Sequence, residues 1–178
     1  MVVTIDFKHV FKHPLPLVAE THLTKYPNDK DKWVFKVETI ERKIDLAKGL
    51  DYRRRWAFCE NIIPNILRQV SLLNVKELIL EEEAWLNIHS GHLKLKSRNI
   101  TWANYASMSE ESKFAHSADN PNWTVFEQHG KIDIHSLGPL TGLLEVFAGK
   151  IIKYGVHKTV RIMEELLSEK SGKSGFDS

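Results

Sequence analysis

The feature that most constrains this chain is a single amphipathic run near its C-terminus. From Pro139 to about Lys170, the residues Leu140, Leu143, Leu144, Phe147, Ile151, Ile152, Val156, Val160, Met163, Leu166 and Leu167 recur at three- and four-residue intervals. That spacing makes one broad apolar stripe on a helix of about eight turns. Pro139 suits a first helical turn, where its missing N–H leaves no bond unmade, and Gly172 and Gly175 stand in a polar tail, residues 171–178, that can stop the helix. A helix this long needs a wide surface to lie on. Most of the remaining chain reads as strands, so the helix is expected to act as a lid or backing across a sheet.

The strands follow from alternation. In residues 2–11, Val3, Ile5 and Phe7 alternate with Thr4, Asp6 and Lys8, the pattern of a half-buried strand, and His13-Pro14 breaks it. Leu15, Val18, Ala19, His22 and Leu23 keep helical spacing over Pro16–Tyr26, and Pro27-Asn28-Asp29 ends that short helix with turn residues. Residues 33–44 and 50–60 form a hairpin across Leu46–Gly49, and Val75–Leu86, Leu93–Trp102, Tyr105–Phe114 and Trp123–Ile134 add further strands, with His89-Ser90-Gly91-His92 as a turn. The order is strand, short helix, six strands, long helix. Consecutive strands at short separations favour an antiparallel meander with one face left for a helix, an α+β architecture. At 178 residues this is one domain, residues 1–170, with the tail beyond it.

Several function classes have no foothold. Lys plus Arg number 25 against 23 Asp plus Glu, so a net charge of +2 gives no global reason to expect a nucleic-acid partner. The one cysteine, Cys59, excludes an intrachain disulfide and a cysteine-based zinc cluster. His9 with His13 and His89 with His92 lack the context of a metal site, and no metal or other cofactor is expected. There is no nucleophile elbow, phosphate-binding glycine loop or Cys–His signature, so an enzyme is not expected either. The N-terminus lacks the character of a signal or transit peptide, and no apolar run reaches membrane-spanning length.

Three stretches carry more information. Arg53-Arg54-Arg55 alternates across a strand, so at least one guanidinium faces the interior. It pairs with a buried glutamate, snorkels to solvent or awaits an anionic ligand, since an unpaired charge in an apolar cavity costs several kcal/mol while a phosphate can accept two of its hydrogen bonds. Glu81-Glu82-Glu83 likewise splits between the two faces and is expected to balance basic neighbours. Asn61–Leu73 is apolar, contains Pro64, and interrupts the strands where a tight turn would suffice. It is either a short core helix or a flap over a cavity.

These residues also carry a family likeness. His9-Val10-Phe11-Lys12-His13-Pro14, Lys25-Tyr26-Pro27-Asn28, Asp45 with Gly49-Leu50 and Arg55, Leu95-Lys96-Ser97-Arg98-Asn99-Ile100-Thr101, and Lys158 with Met163-Glu164 occur in the order and spacing found in one group. Over nearly its whole length, to about Glu169, the chain resembles the PRELI/slowmo family of mitochondrial intermembrane-space lipid-transfer proteins. The resemblance implies a fold like that of phosphatidylinositol-transfer and steroid-acute-regulatory-related carriers: a curved antiparallel sheet of about seven strands, a long C-terminal helix across it and a lipid cavity between. It implies transport of phosphatidic acid or phosphatidylserine between mitochondrial membranes, without covalent chemistry, by a protein bound to a small helical-hairpin partner with twin CX9C motifs. Asp29 stands where the family has proline, Gly155 and Thr159 where it has asparagine and glycine, and Cys59 and Trp33 where some carriers have basic residues or histidine.

Carried onto this sequence, the resemblance gives Lys25, Arg55 and Lys158 as headgroup-binding residues, and Lys153, a further cation of the long helix, joins them as a candidate. Trp33, Cys59, Leu144, Phe147 and Ile151 would line the cavity. The flap, Ile62, Ile63, Pro64, Ile66, Leu67 and Arg68, would make transient contact with a membrane surface, its apolar residues entering the interface and Arg68 near anionic headgroups. A non-transferring adaptor that only engages the hairpin partner is the alternative.

Overall fold

The computed structural model describes residues 2–135 and 137–173. Its elements run β1 (Val2–Phe11), α1 (Leu15–Thr24), β2 (Val34–Asp45), β3 (Leu50–Glu60), β4 (Glu77–Asn87), β5 (Leu93–Asn99), β6 (Ala106–His116), β7 (Thr124–Ile134) and α2 (Thr141–Lys173). The seven strands form one antiparallel sheet in the order β1-β7-β6-β5-β4-β3-β2. Every strand after β1 pairs with its sequence neighbour, and β1 returns to close against β7. The helices cover one face, with α2 on β1 and β7 and α1 between β6 and α2.

Boundaries moved where a local bond competes with the ladder. The fifth strand stops at Asn99 rather than Trp102, because the Asn99 amide donates to the carbonyls of Thr101 and Ala106 and accepts from the Met108 N–H. The chain then turns through Trp102, whose φ is 63°. At the β2–β3 hairpin, Gly49 has φ 64°, and a Cβ there would lie 2.2 Å from the His89 ring, so this position requires glycine. The short helix ends at Thr24, and Asn28 explains how: its amide donates to the Lys25 carbonyl at 2.6 Å while its oxygen accepts the N–H groups of Lys30 and Asp31.

The long helix starts at Thr141, after a 3-10 turn over Gly138–Leu140, and continues to Lys173. The helix thus runs past Gly172, one of the two glycines expected to stop it. Lys170 donates to the Thr21 hydroxyl at 3.0 Å and Ser171 meets His13 at 3.2 Å, and these contacts with the α1 end of the molecule offset the roughly 1 kcal/mol that Gly172 costs a helix. Residues 174–178 of the proposed tail, Gly175 among them, lie outside the described residues. Most of the apolar stripe is turned inward, but Leu143 is 53% exposed and faces solvent.

Two apolar clusters hold the layers together. One joins α1 and the end of α2 to Leu93, Leu95, Phe114 and Phe126 of the sheet; the other joins Ile63, Leu67 and Leu73 to Ile132, Ile134 and the first half of α2. Between them the register lays down a row with different chemistry. Thr39, Arg55, Glu82, Ser97, Glu110, Gly130 and Ile5 are successive cross-strand partners and so share the helix-facing side. A polar belt thus crosses an otherwise apolar concave face. At its β7 end a Cβ on Gly130 would lie 2.7 Å from the Ile152 side chain, so the missing side chain lets α2 press directly on the sheet.

Candidate functional site

The belt faces a chamber roofed by Ile151, Ile152, Gly155, Val156 and Thr159 of α2 and by the end of α1. A second chamber, almost wholly apolar, continues toward the flap, lined by Ile62, Ile63, Leu72, Trp102, Leu144 and Phe147 among others. The two share Trp33, Leu80, Met108, Ile132 and Ile151, so a polar chamber and an apolar one adjoin between the sheet and the helix. Atom-free space amounts to about 1170 Å³ in the first and 960 Å³ in the second, open mouths included.

At the polar end, Arg55 already has a partner. Its Nε donates to Glu82 Oε1 at 3.1 Å, an Nη2 bond reaches the same oxygen, and Nη1 donates to the Leu23 carbonyl at 2.5 Å. Burial works against the Glu82 carboxylate, yet the His22 hydrogen bond and the charges of Arg55, His22 and Lys25 outweigh it and hold the group well below the usual carboxylate range. His22 is the reverse case. Burial first, then the charge of Lys25, lower its pKa to about 4, so the imidazole is neutral near pH 7. The Lys25 ammonium lies 3.3 Å from each ring nitrogen, and Nε2 is 3.7 Å from Glu82.

Lys25 is the exceptional cation. It is only 8% exposed, and its ammonium touches the His22 ring and carbonyl and lies 4.9 Å above the Tyr26 ring. Among the described residues it makes no ion pair. Burial lowers its pKa to about 8, with Glu82 opposing and Arg55 adding. Across the belt, Glu110 lines the same chamber as Gln128, and burial followed by repulsion from Glu82 raises its pKa, against the pull of Lys25.

The other site residues from the sequence separate. Lys158 does not line the chamber. It donates to Asp31 at 2.7 Å, and Asp31 in turn accepts the Trp33 N–H at 2.9 Å, so this pair fastens α2 to the loop after α1. Lys153 is corrected: it sits one position past the buried Ile152, on the exposed side of α2, away from the chamber. Cys59 is also corrected. It is fully buried outside both chamber walls, where burial and Asp31 push its thiol to about 12. Leu144 and Phe147 line the flap-side chamber, and Trp33 and Ile151 line both.

Asn61–Leu73 is not a core helix but a loop with two 3-10 turns. Ile63 and Leu67 point inward at 7% and 5% exposure, whereas Ile62 and Ile66 are 40% and 73% exposed. Arg68 does not reach outward as expected. Its guanidinium donates to the carbonyls of Ile63 and Asn61, pinning the flap's own backbone. Asn61 secures the base, donating to the carbonyls of Leu73 and Val75 and accepting from the Ile63 N–H. Sequence reasoning missed His22, Glu110, Gln128 and Asp31 as members of the site. A strand register, which pairs Arg55 with Glu82 and Ser97 with Glu110, was the signal that would have found the two carboxylates.

A PRELI-like family model matches residues 16–174, which include both helices, the flap and six of the seven strands. The chain belongs to the PRELI-like family. Among its relatives are a slowmo homolog from Dictyostelium discoideum, 22% identical over 160 residues that cover 90% of this chain and 69% of that protein, and a UPS-like protein from Schizosaccharomyces pombe, 26% identical over 139 residues that cover 77% and 73%. Similar solved structures share the fold alone. A START superfamily protein from Mycobacterium smegmatis superposes with a TM-score of 0.58 at 7% identity, covering 93% of this chain and 97% of that one. The Zhui aromatase/cyclase from Streptomyces gives 0.63 at 11% identity, with 96% of each chain covered. The PRELI-like chain thus has a START-like helix-on-sheet fold. Among the described residues, no helix is long and apolar enough to cross a membrane.

Proposed function

We propose that this protein carries one anionic phospholipid, phosphatidic acid or phosphatidylserine, between mitochondrial membranes without covalent chemistry. The observation that carries this reading is the buried Lys25 ammonium, without an ion pair among the described residues, in a chamber that adjoins an almost wholly apolar one on the flap side. A phosphate on Lys25 would supply the missing counter-charge, and acyl chains in the flap-side chamber would escape water at about 0.8 kcal/mol per methylene. Family membership supports the same assignment, and with it residence in the intermembrane space and a twin-CX9C hairpin partner. The exposed Ile62 and Ile66, with Leu143 and Val146 at the start of α2, offer an apolar surface for transient contact with a bilayer.

One observation favours the adaptor alternative. Arg55 and Lys158 are each neutralised from within, by Glu82 and Asp31, which leaves less free positive charge than a dedicated anion carrier needs. Transfer of labelled phosphatidic acid and phosphatidylserine between donor and acceptor vesicles, with and without the hairpin partner, separates the two. Carriage predicts transfer that drops at least about tenfold on Lys25→Met. The adaptor predicts partner binding with no transfer.

A further inference from the structure

We infer that Glu110 selects the headgroup, and that the preferred cargo bears an ammonium group beside its phosphodiester. This rests on the carrier reading and narrows it. The belt has two charged groups without an ion pair among the described residues, the Lys25 ammonium and the Glu110 carboxyl, and they are of opposite sign. The other two, Arg55 and Glu82, satisfy each other. Glu82 and Glu110 lie two strands apart, about 9–10 Å at the usual spacing, with only Ser97 between them on that face. Lys25 descends over this gap from the end of α1, close enough to Glu110 for each to act on the other's charge. A phosphate held by Lys25 therefore shares its chamber with the Glu110 carboxyl, beside Gln128.

The charges decide what fits. With Arg55 and Glu82 cancelling and His22 neutral, the chamber presents one positive charge to the phosphate, which matches a phosphodiester. A phosphomonoester carries about −1.5 to −2 near pH 7 and would be left under-compensated beside two carboxyl groups. An ammonium beside the Glu110 carboxylate makes a charge-assisted hydrogen bond that a headgroup lacking one cannot make. Gly155 and Thr159 add no positive charge to the roof opposite, and a Cβ on Gly155 would meet nothing within 4 Å, which leaves room for the ammonium-bearing arm.

The test offers the full chain vesicles with equal amounts of phosphatidic acid, phosphatidylserine and phosphatidylethanolamine, and weighs the protein with its bound lipid by native mass spectrometry. Serine and ethanolamine arms share the ammonium, and the serine carboxylate reveals whether the spare Arg55 N–H groups also engage. Wild type should hold ammonium-bearing lipid over phosphatidic acid by about tenfold or more. Glu110→Gln keeps the size but cannot carry a charge; it should retain total lipid and shift the ratio about tenfold toward phosphatidic acid. A wild type that prefers phosphatidic acid, or a ratio unmoved by Glu110→Gln, overturns this inference and leaves carriage standing. A wild type that binds none of the three overturns both.

Discussion

Buried charges make Lys25 and Arg55 respond oppositely to the same substitution. Arg55→Met would strand the Glu82 carboxylate without its main counter-charge, and such losses cost about 3–5 kcal/mol. Lys25→Met removes a cation that makes no ion pair among the described residues and leaves the Arg55–Glu82 pair intact, so its melting temperature should equal or exceed that of wild type while lipid binding fails. Calorimetry of the two variants side by side checks the contrast. His22 gives the pH dependence. Its folded pKa of about 4 lies below the ordinary 6.5, so the unfolded chain takes up the proton first, and stability is lost as pH falls from 6.5 to 4. At about 1.4 kcal/mol per unit the full effect is about 3 kcal/mol. Glu82 adds a further loss below 4.5, whereas Glu110, with its raised pKa, contributes in the opposite sense. Melting temperatures measured across this range should fall steeply for wild type and less steeply for His22→Gln.

At the scale of elements, the flap and the long helix are held by different physics. Asn61 makes three hydrogen bonds at the flap base, to the carbonyls of Leu73 and Val75 and from the Ile63 N–H. Asn61→Ala should therefore speed hydrogen exchange over residues 62–73 several-fold while the sheet amides keep their protection. Leu167 is fully buried in the α1–α2–sheet cluster, and Leu167→Ala should destabilise the whole domain by about 2–5 kcal/mol, read from chemical denaturation. The helix was legible because its apolar spacing persists for many turns, and the strands because each alternates. The limits of elements were less so. Asn99 and Asn28 end a strand and a helix through side-chain bonds that no periodicity announces, and Gly172 stays helical because Lys170 and Ser171 reach residues far away in sequence.

For the molecule as a whole, the helix-on-sheet architecture could be read from the order of elements, and the resemblance carried it to a cavity. The content of that cavity could not be read in the same way. Arg53-Arg54-Arg55 announces an inward cation, but that Arg55 is neutralised by Glu82 depends on β3–β4 register, and that Lys158 is taken by Asp31 depends on the loop after α1 meeting α2. What remains after these internal pairings is Lys25, a half-empty polar belt and an apolar chamber that ends under exposed isoleucines. The central claim is that a phospholipid completes this arrangement with its phosphate at Lys25. Native mass spectrometry of the protein recovered from vesicles tests it most directly. The account predicts one phospholipid per chain for wild type and none for a folded Lys25→Met variant; equal loading of the two, or a wild type without lipid, would contradict it.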